Sequence, residues 1–234
     1  MSGATDARHL EPAEKILRVL HALDEYYGRK KRSEAPDPLR VLVRGILSQN
    51  TSDVNSGRAY ESLMRQFGGW AELAQAGRQE IERAIRSGGL AAQKAGAIKS
   101  VMDWLAGRGE YSLDFLDELG SGEVEERLKR IKGVGIKTAR LVLLFGLARP
   151  VFVVDTHVHR VSRRLGLIPS RSSRRKAHGL LDGLIPDEDK YSGHLNMIEH
   201  GRRTCRAQSP LCDGCTVRRW CLHVSGEVQQ VSPS

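Results

Sequence analysis

Three stretches carry residue types that could do chemistry. The first is Arg130-Ile131-Lys132-Gly133-Val134-Gly135-Ile136-Lys137-Thr138-Ala139-Arg140, where two glycines stand one residue apart, just ahead of a lysine. Each glycine allows positive φ and close backbone approach. The amides that open the following helix are unpaired and lie at the positive end of its dipole, so the turn is a site for a phosphate. Lys137, in the first turn of that helix, either grips this anion or does chemistry beside it. The second stretch is Asp155-Thr156-His157, which follows four apolar residues, 151–154. An N-cap is the ordinary role of such an aspartate, yet a carboxylate after a buried run is partly desolvated, and such groups are often functional. The third is Cys205, Cys212, Cys215 and Cys221, spaced C-x6-C-x2-C-x5-C with Pro210 and Gly214 inside the loops. Four thiolates this close point to one tetrahedral metal site, and both zinc and a [4Fe-4S] cluster accept four cysteines.

The elements that must position these residues read as helices. Residues 11–27 carry apolar positions at Ile16, Leu17, Val19, Leu20, Leu23 and Tyr27, a helical period with Pro12 near the start. Residues 39–47 form a second helix, ended by the polar run Ser48-Gln49-Asn50-Thr51-Ser52-Asp53. Ser52 or Asp53 caps the next helix, 54–67. The amides of Gln49 and Asn50 are free to read or replace a base by hydrogen bonding. Glycines then punctuate short helices at 70–76, 79–87, 91–105 and 113–119, and Leu90 stands at a Gly88-Gly89 turn. Leu90 either staples its own helix or acts as an apolar wedge between bases. The hairpin lies between an amphipathic run, 124–131, and an apolar one, 138–147. Residues 151–154 look like a strand with nothing nearby to pair with, and are read as a buried extended crossover into a helix at 158–165. No convincing period-2 strand appears, so the fold class is all-α.

The basic residues Arg160, Arg163, Arg164, Arg171, Arg174, Arg175 and Lys176 mark a basic surface, and Arg29-Lys30-Lys31-Arg32 is either a solvated connector or a phosphate contact. The 37 Lys+Arg against 28 Asp+Glu give the 234-residue chain a net charge of +9, which favours a polyanionic partner. No apolar run approaches the length of a membrane helix and the first residues lack a signal-peptide core, so a cytosolic protein is expected. In that reducing compartment the cysteines bind metal rather than form disulfides.

Three of these pieces together resemble one family. Gly133-Val134-Gly135-Ile136-Lys137-Thr138-Ala139, Val154-Asp155-Thr156-His157, and His200-Gly201-Arg202 leading into the four cysteines are similar, in order and spacing, to the helix-hairpin-helix DNA glycosylases of the endonuclease III type. The resemblance runs from about residue 39 to 221, and the cysteine spacing is its most specific part. It implies two helical lobes with a DNA-binding cleft between them. One lobe, 41–148, is a helical barrel carrying the hairpin; the other, 1–40 plus 149–234, holds a [4Fe-4S] cluster on Cys205, Cys212, Cys215 and Cys221. It also implies that Lys137 is the nucleophile and Asp155 the essential aspartate. Gln49 or Asn50 fills the gap left by a flipped nucleotide, Leu90 is the opposite-strand wedge, and Gly133, Val134 and Gly135 hold the DNA backbone.

The sequence departs from the family pattern at four places. Lys132 stands where proline is usual, loosening the turn but adding a phosphate contact. Ala91-Ala92-Gln93-Lys94 replaces a more polar, tyrosine-containing sequence, the first cysteine loop has one basic residue where relatives often have more, and residues 110–126 are longer than in the shortest relatives.

The implied activity suits the residues. A lysine at a helix N-terminus, desolvated, is disfavoured as ammonium and so is available as a nucleophile, while an aspartate stabilises charge on the sugar and accepts protons later. The resemblance thus implies a bifunctional glycosylase and AP lyase, acting as a monomer in the nucleoid. It would remove oxidised pyrimidines from duplex DNA that contains damaged bases or abasic sites. Its rivals are a monofunctional adenine or mismatch glycosylase of the same fold, against which Lys137 and Gly45 argue, and a non-catalytic DNA clamp.

Overall fold

The computed structural model describes residues 7–226. In chain order its helices are α1 (Pro12–Tyr27), α2 (Pro38–Leu47), α3 (Asp53–Phe67), α4 (Trp70–Gln75), α5 (Arg78–Ala84), α6 (Ala91–Ala106), α7 (Ser121–Lys129), α8 (Ile136–Leu141), α9 (Thr156–Leu165), α10 (Arg174–Leu184) and α11 (Asp187–Arg203). No strand occurs among the described residues, and the fold is all-helical. The chain divides into two compact units: one is Glu34–Arg149, the other Met1–Ser33 with Pro150–Ser234.

In the first unit, α2 begins at Pro38 with Asp37 accepting from Leu39 N, and it buries Leu39, Leu42, Val43, Ile46 and Leu47. That i, i+3, i+4, i+7, i+8 stripe is what a helix needs to face a core. Each of these side chains contributes about 1.5–3 kcal/mol by leaving water, so Leu42→Ala alone would cost about 2–5 kcal/mol. The stripe packs against α3, α6 and α8. Helix α8 does not run on to residue 147 as one α-helix: after Leu141 it widens into a π-helical turn, Val142–Gly146, whose i→i+5 bond is Leu147 N to Val142 O at 2.9 Å. Val142, Leu143 and Leu144 are buried there, so the wider turn keeps three consecutive apolar residues in the core. Residues 113–119 also differ from expectation, forming a 3-10 turn, Asp114–Glu118, rather than an α-helix.

In the other unit, α1 buries Ile16, Val19, Leu20 and Leu23 in a core shared with Phe152, Val158, Val161, Leu181, Met197 and Trp220. Residues 151–154 are buried and extended. With no strand beside them, their polar backbone groups must find side chains. Phe152 N donates to Asp182 Oδ1 at 2.6 Å, Val154 N donates to His178 Nδ1 at 3.3 Å, and His194 Nδ1 donates to Val153 O at 3.0 Å. Those partners lie on α10 and α11, two helices the sequence reading left unassigned. The basic run Arg174-Arg175-Lys176, read only as surface, is the exposed first turn of α10, capped by Ser173. The Arg29–Arg32 cluster is mainly a connector: Arg29 pairs with Asp24 and Asp189, Lys30 with Glu199, and Arg32 lies 4.7 Å from the Tyr191 ring.

Candidate catalytic hairpin and cysteine pocket

The hairpin is the stretch between α7 and α8. Ile131 and Val134 are buried and anchor it, with Val134 N bonded to Ile131 O at 3.0 Å, while Lys132 is exposed. The two glycines play different parts, which corrects the expectation that both serve the turn alike. Gly133 has φ +91, and a Cβ there would lie 2.4 Å from Ala97 Cβ on α6. Gly135 has φ −97, which any residue adopts, and a Cβ there would meet nothing within 4 Å. Its missing side chain leaves open surface beside the first amides of α8. Lys137 follows in the first turn of α8, half-buried.

The polar run after α2 reaches this turn. Gln49 Nε2 donates to Gly133 O at 3.2 Å and lies 3.4 Å from Thr138 Oγ1, so its side chain is committed to the hairpin. Asn50 is exposed, with φ +49. The N-cap of α3 is Ser52, which accepts from Asn55 N, leaving Asp53 as a first-turn acid. Leu90 is also left-handed, φ +51, and 51% exposed at the start of α6. Half of the side chain faces solvent, and a bulky residue in a left-handed backbone is strained.

One residue escaped the sequence reading. Lys94 on α6 is 1% exposed, and its Nζ donates to Leu47 O and to Gly88 O, each at 2.8 Å. Burial holds its pKa below the usual lysine range. The signal was a lysine among Ala95, Ala97 and Ile98 on the apolar face of α6.

In the other unit Asp155 caps α9: its Oδ1 accepts from Val158 N at 2.8 Å. The side chain is half-buried, and capping occupies one carboxylate oxygen. Arg160 ties this end of α9 to α11 and the cysteine segment, donating to Gly201 O at 2.7 Å and Cys205 O at 2.9 Å, with His157 Nδ1 at 3.1 Å. A Cβ on Gly201 would fall 2.8 Å from His157 Cβ, so the glycine of His200-Gly201-Arg202 permits α11 to cross α9 closely.

The four cysteines line one pocket, walled by Val161, Leu165 and Val217. Arg164 Nη1 donates to Cys205 Sγ at 3.3 Å, Cys221 Sγ donates to Arg164 O at 3.4 Å, and His200 Nε2 lies 3.7 Å from Cys215 Sγ. Burial pushes the Cys215 thiol up to about 11 and the His200 imidazole down to about 4. Thiols buried like those of Cys215 and Cys221 ionise more readily when a cation lies among them. Among the described residues, no three His, Cys, Asp or Glu side chains close around a single ion. The donor set itself, four thiols around one apolar pocket with an arginine N–H at one sulfur, suits a thiolate-held metal group.

No helix among the described residues is long and apolar enough to cross a membrane. The model of the HhH-GPD superfamily, base excision DNA repair proteins, matches residues 43–187. Endonuclease III of Thermotoga maritima is 36% identical over 185 residues, 79% of this chain and 83% of that protein. A relative in Arabidopsis thaliana is 39% identical over 184 residues, and the matched part spans 60% of that longer protein. Among solved structures, a trapped endonuclease III–DNA covalent intermediate has a TM-score of 0.79 at 27% identity, covering 94% of this chain and all of that one. A thermostable thymine-DNA glycosylase, with a TM-score of 0.75, is 17% identical, which shows the shared fold alone.

Proposed function

The chain belongs to the HhH-GPD superfamily of base excision DNA repair proteins, as an endonuclease III-like DNA glycosylase, and from that membership we propose that it is a bifunctional glycosylase and AP lyase acting as a single chain on oxidised pyrimidines and abasic sites in duplex DNA. The observation that carries this reading is Lys137, placed in the first turn of α8 beside the open surface at Gly135. The amides after Gly133-Val134-Gly135, with Lys132, hold the phosphate backbone near the lesion. The damaged nucleotide is flipped out, Asn50 fills the gap it leaves, and Leu90 enters the opposite strand. Of the two candidates for the gap, Asn50 is favoured because Gln49 is bonded to the hairpin.

Lys137 Nζ then attacks the anomeric carbon as the base leaves and takes up a proton; the C1′–O4′ bond opens to give a Schiff base, and β-elimination breaks the C3′–O bond, cutting the strand 3′ to the lesion. Asp155 stabilises the positive charge that develops on the sugar and takes up the protons released afterwards. Capping engages one carboxylate oxygen, Oδ1, which leaves Oδ2 outside that bond and supports the role. Cys205, Cys212, Cys215 and Cys221 hold a [4Fe-4S] cluster, which orders the loops of 205–221. Incubation with duplexes carrying an oxidised pyrimidine, uracil, or adenine opposite an oxidised guanine tests the substrate assignment. Release of the oxidised pyrimidine with strand cleavage is expected; base release from only the other two, without cleavage, identifies a monofunctional enzyme instead.

A further inference from the structure

Lys94 joins two segments that the proposed reaction uses. Leu47, whose carbonyl it holds, is the last residue of α2, where carbonyls lack intrahelical donors and the helix dipole favours a cation. Gly88, its other partner, closes the 3-10 turn Arg86–Gly88. Asn50 stands three residues beyond Leu47 and Leu90 two residues beyond Gly88. Both have left-handed backbones, φ +49 and +51, and both are exposed. An ammonium 1% exposed is costly to desolvate, and here two main-chain carbonyls compensate it. Methionine would fill the same space without that cost. What the ammonium adds is a fixed spacing between the two carbonyls.

We propose that Lys94 is a positioning residue that sets the separation of Asn50 and Leu90, so that the two side chains enter the two strands of a duplex together. This rests on the reading of Asn50 and Leu90 given above. It explains why a charged residue stands on the apolar face of α6.

The test uses the full chain and a duplex with a tetrahydrofuran abasic analogue opposite 2-aminopurine, whose fluorescence rises when the base is unstacked. This readout contains no chemical step. Folded Lys94→Met, checked by thermal melting, is expected to bind undamaged duplex like wild type while losing the fluorescence rise about tenfold or more, since misplacing an inserting group by about 1 Å is costly. Lys94→Met combined with Leu90→Ala is expected to lose little beyond Leu90→Ala alone, because the two act as one unit. Wild-type unstacking in folded Lys94→Met, or additive losses in the double variant, overturns the proposal. If Lys94→Met does not fold, Lys94→Arg decides: its differently spaced donors are expected to lower the rise about threefold, and an unchanged rise refutes the clamp. No rise in wild type refutes insertion itself and the clamp with it. Failure of the lyase reading would be seen separately, as a normal rise on this duplex with no strand cleavage of a second duplex that carries a natural abasic site.

Discussion

The side-chain amide of Gln49 donates to the main-chain carbonyl of Gly133 at 3.2 Å, tying the polar run after α2 to the turn of the hairpin. The bond gives two adjacent amides different duties: Gln49 braces the turn, and Asn50 faces outward. Asn50→Ala is therefore expected to slow single-turnover excision about tenfold to a hundredfold with an unchanged melting temperature. Gln49→Ala should lower stability by about 1 kcal/mol, the usual loss for one such bond. The reverse pattern, with Gln49→Ala harming excision at full stability and Asn50→Ala silent, would contradict the division.

Gly133 and Gly135 should separate in the same way. Gly133→Ala places a methyl 2.4 Å from Ala97 Cβ on a backbone at φ +91, and is expected to cost at least about 2 kcal/mol. Gly135→Ala meets open space at φ −97 and should stay within about 0.5 kcal/mol of wild type. Its methyl projects where DNA would approach, so binding to duplex DNA should weaken while the melting curve stays put. Full-strength DNA binding by Gly135→Ala would remove this turn from the interface.

Much of this arrangement was legible in the sequence because it depends on local patterns. The stripe of α2, the Gly-Val-Gly turn, the Asp155 cap and the grouping of four cysteines follow from spacing within one or two turns. What was not legible depends on long-range contacts. Nothing local distinguishes Gly133 from Gly135 until Ala97 is placed against one of them. Lys94 looks like a surface lysine until carbonyls 47 and 6 residues away in sequence converge on it. Helices α10 and α11 were missed because the basic first turn of α10 opposes its own dipole, and because the buried His178 and His194 are polar residues in core positions.

The pH dependence of stability follows from half-buried histidines. Burial, reinforced by Arg163 and Arg174, holds His159 below its ordinary pKa, although its hydrogen bond to Ser172 O acts the other way. His157 is likewise lowered by burial. The unfolded chain accepts protons near pH ~6.5 that the folded chain resists, so stability is full above that pH and falls as pH drops below it. Urea unfolding at pH 7.5 and 5.5 should show the loss, and His159→Gln should flatten it. Stability that increases towards pH 5.5 would be inconsistent with this origin.

The cysteine pocket predicts a brown protein. Anaerobic preparations should show broad visible absorbance that iron chelation removes, with a lower melting temperature afterwards, because the loops of 205–221 are too short to order themselves. Cys212→Ser should lose colour and thermal stability together. A colourless preparation with one zinc per chain would replace the cluster by a single ion.

Borohydride trapping addresses the assignment of Lys137 as the nucleophile most directly. Reduction of a Schiff base during turnover on an abasic-site duplex should join protein and DNA in a one-to-one adduct, and peptide mapping should place the link at Lys137. Lys137→Ala should abolish the adduct while still binding the duplex. An adduct of undiminished yield in Lys137→Ala, or none with wild type, would contradict the account.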